Sequence, residues 1–403
     1  MRDMEKRMTD SLLVEHFEPS NSPLRIAVVT ETWPPEVNGV AVTLSKLVQQ
    51  LSLKQHAIQL IRPRQGHLDT VGDQTDWSEM LMRGLPIPRY PQLKLGLPSK
   101  KALLRAWSQK RPDVVHIATE GPLGWSALQA ARVLRLPVTS DFRTNFHSYS
   151  QHYGVGWLSK PIAAYLRKFH NRTLFTMVPT HALKSQLQRA GFDNLQVVAR
   201  GVDTQLFHPT KRSSSLREQW QADDTTTVLL SVGRLASEKN LDLVVNTYHA
   251  LRQSGRRVKL VFAGDGPYRS KLQTHCSDAI FTGMCSHTDL AVIYASADLL
   301  LFPSLTETFG NVTLESLASG TPVLAFDCAA ASELIQDSLN GWLVAGDDAQ
   351  RYVLKALSIT QNKPSLRDIR PYTHASIAHW DWLVITTQVE AILRKAIAEN
   401  PSA

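Results

Sequence analysis

The sequence predicts an α/β chain of two Rossmann-like parallel-sheet domains facing an interdomain cleft. Three observations predict the paired α/β domains. Short runs rich in Val, Ile and Leu alternate with helix-patterned stretches along most of the chain, as in doubly wound parallel sheets. The rhythm breaks once, at Ala199 to Trp220, where Gly, Pro and a serine run read as a linker. Finally, 403 residues are too many for one ordinary core.

Residues 1–22 are charged and polar without an apolar segment, and read as a frayed extension rather than a signal peptide. The first domain, 23–200, opens with the strand LRIAVVTE, Leu24 to Glu31, followed by the loop TWPPEVNGV and the helical AVTLSKLVQQLSLKQ. HAIQLIRP, PDVVHIATE, LPVTSDF, TLFTMVPT and LQVVARGV supply further strands, with a helix in GWSALQAARVLRL. After the linker at 201–220, the second domain, 221–378, repeats the alternation. Its strands are TTVLLSVGRL, VKLVFAG, AIFTG, ADLLLFPS, TPVLAFD and NGWLVAG. Residues 379–403 form a last helix that could pack on either domain, with a return to the first expected.

Composition narrows the class. The apolar share is 43% and the charged share 20%, as in globular proteins. No apolar run is long enough for a transmembrane helix. Cys276, Cys285 and Cys328 suit a reducing cytoplasm and, with His287, match no zinc spacing. The net charge of +8 is unevenly spread: residues 1–200 hold 26 Lys and Arg against 15 Asp and Glu. A basic first half suggests an anionic partner or a phosphorylated substrate.

Several chemistries are missing. GDGPYRS has Arg269 where a dinucleotide fingerprint needs its third glycine, and no phosphate loop or nucleophile elbow occurs. No Asp-x-Asp is present to hold a metal on a diphosphate. What remains lies in loops after strands, where open α/β sheets bind ligands. Asn38-Gly39-Val40 begins a helix, where glycine lets the backbone approach an anion. VGRLASEKN places Arg234 and Lys239 within reach of one phosphate pair. In PSLTETFGNVTLESLASG, a helix from Asn311 to Ser319 offers amides to phosphate, with Gly320 as its stop. Glu307 in the turn and Glu315 one turn into the helix then suit hydroxyls, since a carboxylate accepts two hydrogen bonds from a diol. TSDFRTNFHSYSQHYGVGW, Thr139 to Trp157, directs Arg143, Asn145 and His147 toward a cleft.

At these residues the chain resembles the retaining nucleotide-sugar glycosyltransferases of the GT-B fold, family 4. ETFGNVTLE, GRLASEKN and PPEVNGVAVTL carry the resemblance, which runs from about Leu24 to the C-terminus. It implies that Arg234, Lys239 and the backbone of Gly39 bind the donor diphosphate. It implies further that Phe309, Gly310, Asn311 and Val312 belong to the donor site, with Glu307 at the donor sugar and Glu315 at the ribose. No metal or cofactor is implied. The first domain becomes the acceptor side and the second the nucleotide-sugar side. Where the family carries His in a Phe-His-Thr pattern, DFRTNF places Arg143, a permanent cation that cannot serve as a base. Glu307 and Arg143 are the catalytic candidates. The motifs look most like those of bacterial glycolipid mannosyl- and sulfoquinovosyltransferase-like enzymes, with GDP-mannose favoured over a UDP-sugar.

The expected activity is metal-independent transfer of a hexosyl group, mannose favoured, to a lipid or glycan hydroxyl. A nucleotide-sugar epimerase or hydrolase, or a non-catalytic nucleotide-sugar-binding subunit, remains the alternative. The basic amphipathic stretches GWLSKPIAAYLRKFHNR and PSKKALLRAWSQKR suit contact with an anionic membrane surface rather than nucleic acid. That implies a cytoplasmic protein, peripheral on the inner face of the membrane.

Overall fold

The computed structural model describes residues 22–36, 39–66, 69, 76–87, 90–143, 159–305, 307, 309–361 and 363–400. Asn38, Asn145 and His147 lie outside the described residues. The first lobe contains β1 (Arg25–Val29), β2 (Ala57–Pro63), β3 (Ser78–Met82), β4 (Gly84–Ile87) and β5 (Tyr90–Gly96). It continues with β6 (Val114–Ile117), β7 (Val138–Asp141), β8 (Phe175–Val178) and β9 (Leu195–Val197). The second contains β10 (Thr227–Val232), β11 (Val258–Ala263), β12 (Ile280–Gly283), β13 (Leu299–Phe302), β14 (Val323–Phe326) and β15 (Gly341–Val344).

The two sheets run β3-β2-β1-β6-β7-β8-β9 and β12-β11-β10-β13-β14-β15, with β4-β5 a separate hairpin. Every pair within the two large sheets is parallel. Strand order therefore reverses beside β1 and again beside β10, so each lobe opens its ligand crevice at the C-terminal ends of those strands. The apolar runs become strands because both faces are covered: β6, β13 and β14 are buried at every position. Sequence reading passed over β3 and the hairpin. SEMLM, GLPI and YPQLKLG lack β-branched density and carry two prolines, and their pairing is decided by neighbours instead.

The final helix, Trp382–Ala398, buries Trp382, Ile385, Val389, Leu393 and Ala396, one stripe at helical spacing. It packs on the Gly39–Leu53 helix of the first lobe. Lys54 Nζ lies 2.7 Å from Glu390 Oε2 across that contact, and His56 Nε2 lies 3.5 Å from Glu390 Oε1. The chain thus passes between lobes twice, and the two passages touch. Val202 and Asp381 form an isolated bridge, and Trp382 N donates to Val202 O at 3.2 Å. A Cβ on Gly201 would lie 2.5 Å from the Trp382 ring, so only glycine fits.

The segment read as linker is not featureless. Ser213 caps the Ser214–Gln219 helix by accepting from Leu216 N at 3.1 Å. The buried Arg217 donates to Asp298 Oδ2 at 3.0 Å and to Ser296 O at 2.9 Å. This helix belongs to the second lobe, and the serine run that read as loop is a helix start.

Gly264 and Gly266 of GDGPYRS close the fold behind the second crevice. At Gly264, φ is +136° and a Cβ would lie 2.0 Å from the carbonyl oxygen of Gly233. At Gly266 it would lie 2.3 Å from that of Leu235. Gly264→Ala should therefore cost about 3 kcal/mol, read as a lower urea midpoint at unchanged slope.

Candidate functional site

The second crevice is built by backbone on backbone. Gly233 N donates to Ala263 O at 2.9 Å, Leu235 N to Asp265 O at 3.0 Å, and Tyr268 N to Leu235 O at 2.9 Å. These bonds pin the loop after β10. The chain then makes a 3₁₀ turn, Ser237–Lys239, and reverses at Asn240, whose left-handed φ is 55°. Asn240 Nδ2 donates to Pro303 O at 3.3 Å, which ties the turn to the loop after β13. Lys239 is thereby carried to Glu307, and its ammonium pairs with Glu307 Oε1. Ser304 Oγ donates to the same oxygen at 2.9 Å. Arg234, more exposed, pairs with Glu238. Arg234, Lys239, Gly233, Phe302 and Ser304 line one concavity at the C-terminal ends of β10 and β13.

Glycine is required next at Gly310, the N-cap of the Asn311–Ala318 helix, where φ is +92°. A side chain there would press on Phe302, 3.3 Å from a built Cβ. Phe309 is buried and Val312 packs half-buried on the same core, so they anchor the helix. Ala330 N donates to Phe309 O at 3.0 Å. Asn311 Nδ2 reaches across to Thr43 Oγ1 at 3.5 Å, and a Cβ on Gly39 would lie 3.9 Å from the same nitrogen. The N-termini of the Gly39–Leu53 and Asn311–Ala318 helices thus face each other across the cleft. The dipoles of both, together with Arg234 and Lys239, make this mouth receptive to anions.

Residues 213–375 match the family model for glycosyl transferases group 1, and residues 37–206 match that for glycosyltransferase family 4. A GDP-mannose-dependent alpha-mannosyltransferase of Mycobacterium tuberculosis is 35% identical over 329 residues, covering 80% of this chain and 84% of that protein. The chain is a family 4 glycosyltransferase of the GT-B type. The alpha-monoglucosyldiacylglycerol synthase of Streptococcus pneumoniae is 29% identical over 351 residues, 84% of this chain and 79% of that protein. Among solved structures, Anabaena HepE in complex with UDP-glucose superposes with a TM-score of 0.72 at 18% identity, covering 92% of this chain and all of that one. This likeness supports the fold.

In the glycosyltransferase, Glu315 lies inward of the mouth. Its partner, which sequence reading missed, is Tyr294, whose hydroxyl donates to Glu315 Oε2 at 3.0 Å. Tyr294 reads as an ordinary apolar helix residue, and only the fold brings it to Glu315. Burial pushes the Glu315 carboxyl up to about 7, partly offset by the tyrosine bond. Glu31, also missed, follows β1 and caps the Pro122–Val133 helix, accepting from Leu123 N at 2.8 Å. Burial raises its carboxyl to about 7 as well.

Arg143 sits differently from its expected place as a free side chain in the cleft. It is buried, and its Nε donates to Asp141 Oδ2 at 2.7 Å, with Nη2 on the same oxygen. A guanidinium in that setting needs a carboxylate, and β7 ends in one. The Arg143 guanidinium and the nearby His116 hold Asp141 far below the usual carboxylate range despite its burial. Among the described residues, no group of three His, Cys, Asp or Glu side chains is placed to hold a metal ion.

The Glu315 carboxyl binds its proton more tightly in the fold than in the unfolded chain. Its contribution to stability is therefore full below about pH 4.5 and lost as pH rises through about 7. Glu315→Gln keeps the shape without the ionisable group. It should raise stability by roughly 2–3 kcal/mol at pH 8 and by much less at pH 5, measured as urea midpoints at the two pH values.

Proposed function

We propose that this glycosyltransferase moves a mannosyl group from GDP-mannose to a hydroxyl of a lipid-linked or glycan acceptor, with retention and without a metal. The convergence of Lys239 and Glu307 beneath two opposed helix N-termini carries the reading. The names of the 35% and 29% identical relatives support mannose and a lipid acceptor. In this reading Arg234 and Lys239 hold the diphosphate, with amides from the Gly39 and Asn311 helices. As the diphosphate draws Lys239 away, Glu307 turns to the donor sugar hydroxyls. Glu315 accepts hydrogen bonds from the ribose diol. Charge gathering on the departing diphosphate is stabilised by fixed cations and amides, and that diphosphate accepts the acceptor's proton. Arg143 stands beside the sugar as a fixed charge.

Lys239→Ala and Glu315→Ala should each weaken GDP binding by about tenfold or more, measured by calorimetry. Glu307→Ala should lower kcat more than donor affinity. Unchanged GDP binding in both of the first two variants would remove the site assignment. Release of GDP at the same rate with and without acceptor lipid would favour a hydrolase.

An anionic membrane is the proposed second partner. From Met80 to Pro112 the chain carries eight Lys or Arg and no Asp or Glu. The same segment holds the β4-β5 hairpin, where Leu85 opposes Leu95 and both are exposed, at 55% and 40%. The adjoining Lys100–Gln109 helix buries Leu103 and Trp107 and exposes Lys101 and Arg105. Among the described residues no helix is long and apolar enough to cross a membrane. Binding to phosphatidylglycerol vesicles should weaken severalfold between 0.05 and 0.5 M salt, roughly as screening requires. Charge reversal at Lys94, Lys101 and Arg105 should abolish it, whereas phosphatidylcholine vesicles should not sediment the protein.

A further inference from the structure

Tyr294 is wholly buried on the His287–Ser296 helix, yet its hydroxyl ends on the Glu315 carboxylate. Both ends of that bond are fastened to one residue. Thr321 Oγ1 donates to Tyr294 O at 2.6 Å, while Thr321 N donates to Ser316 O at 2.9 Å and Ser316 Oγ donates to Thr321 O at 2.8 Å. The Tyr294 ring packs edge-on against Phe207, with centroids 5.9 Å apart. The end of its helix is gripped as well, because Ala295 O and Ala297 O each accept from Arg212 and from Arg370. Phenol and carboxylate thus have little freedom to move apart.

A phenol that only filled the core would be satisfied by a backbone carbonyl, as the buried Tyr352 is by Leu324 O at 2.7 Å. Tyr294 instead meets the kind of side chain that burial least favours. Among the described residues, Tyr294 is the one group that hydrogen-bonds the half-buried Glu315 side chain, and it takes Oε2 and leaves Oε1. A donor beside a carboxyl favours the charged form, so the phenol lowers the pKa that burial raises to about 7.

The charged and titratable groups on the elements packed around the Asn311–Ala318 helix are engaged elsewhere. His374 Nδ1 bonds to Ala318 O, Arg370 to Ala295 O and Ala297 O, and Glu333 to His181 N. Tyr372 is exposed, Asp289 accepts from Ser286 Oγ, and His287 lies at the other end of its helix from Tyr294. His208 bonds to Thr210, Lys46 lies 3.8 Å from Asp203, and Glu307 pairs with Lys239.

We infer that Tyr294 is a positioning residue for donor binding, which holds Glu315 as an oriented carboxylate with Oε1 left for the ribose diol. The inference rests on the reading above, in which Glu315 meets the ribose. Diol hydroxyls donate, and a carboxylate accepts two of them where a carboxylic acid is itself a donor. Affinity for the ribose is therefore scaled by the charged fraction of Glu315. For a group that titrates at about 7, that fraction is roughly a tenth at pH 6 and nearly complete at pH 8.5. Without the phenol the charged form is rarer, and ribose recognition begins at higher pH.

Calorimetry on the full chain tests it, with GDP-mannose and its 2′,3′-dideoxyribose analogue as titrants from pH 6 to pH 8.5. Neither diphosphate diester gains or loses a proton in that range, and other titrating groups, the buried Glu31 among them, act on both donors alike. The affinity ratio of the two donors should rise about tenfold across the range, with its midpoint near pH 7. Tyr294→Phe, which keeps the ring on Phe207, should move that midpoint up by about one pH unit. Placing 3-fluorotyrosine at residue 294, a stronger donor in the same place, should move it down. If circular dichroism shows Tyr294→Phe misfolded, the fluorotyrosine protein decides alone. A midpoint that neither substitution moves overturns the positioning role, and so does a loss in Tyr294→Phe that is equal at every pH. Equal affinity for the two donors in the unaltered protein instead removes the ribose reading itself.

Discussion

The mouth of the second lobe depends on a contact between two pieces of bare backbone. Gly264 lies against the carbonyl of Gly233, and Gly266 against that of Leu235, at separations no Cβ tolerates. Because these loops touch without side chains between them, the turn from Gly233 to Asn240 has one available course, and that course delivers Lys239 to Glu307. A steric constraint at Gly233 and Leu235 thus sets an electrostatic one a few residues along the chain. The loop that resembled a failed dinucleotide fingerprint is the support on which the phosphate-facing loop rests.

Opposed helix N-termini extend the same logic across the cleft. Each helix brings partial positive charge at its first turn, and two such ends repel unless something negative lies between or beside them. Glu307 supplies part of that negative charge through Lys239, and Asn311 bridges toward Thr43 as a neutral dipole. At the far side Glu333 of the second lobe accepts from His181 N, the start of another first-lobe helix. The lobes meet through capping interactions of modest strength, of the kind that contribute about 1 kcal/mol each. The two crossing passages at Val202 and Asp381 hold them in register. Such a junction permits relative movement while keeping the strand ends opposed.

Much of this was legible in the sequence because it follows local rules. The runs around Val28, Leu230 and Leu300 are apolar on both faces, so they could only be covered parallel strands. Gly310 before an apolar-periodic stretch and Gly320 after it bracket a helix, and the helix runs from Asn311 to Ala318 with Gly320 at φ +71°. Residues whose roles come from distant partners were not legible. Tyr294 and Glu315 are 21 positions apart, Glu31 and Leu123 are 92 apart, and neither pairing leaves a periodic trace. Arg143 shows the limit most clearly. Its position in the motif could be read, but its tie to Asp141 depends on the direction in which β7 ends.

Glu315 illustrates how a binding site opposes folding. The half-buried Glu315 carboxylate, beside one phenol, has lost hydration, and that loss raises its pKa. A glutamine there would sit more comfortably at neutral pH, and a leucine more comfortably still. The carboxylate makes sense only if something arrives that donates hydrogen bonds to it, and a vicinal diol does so with two hydroxyls at once. Fixed acceptors that are poorly solvated before binding gain more from such donors than exposed ones, because less water must be displaced. The second lobe therefore keeps an underused acceptor, a cost to the fold that only a bound partner offsets.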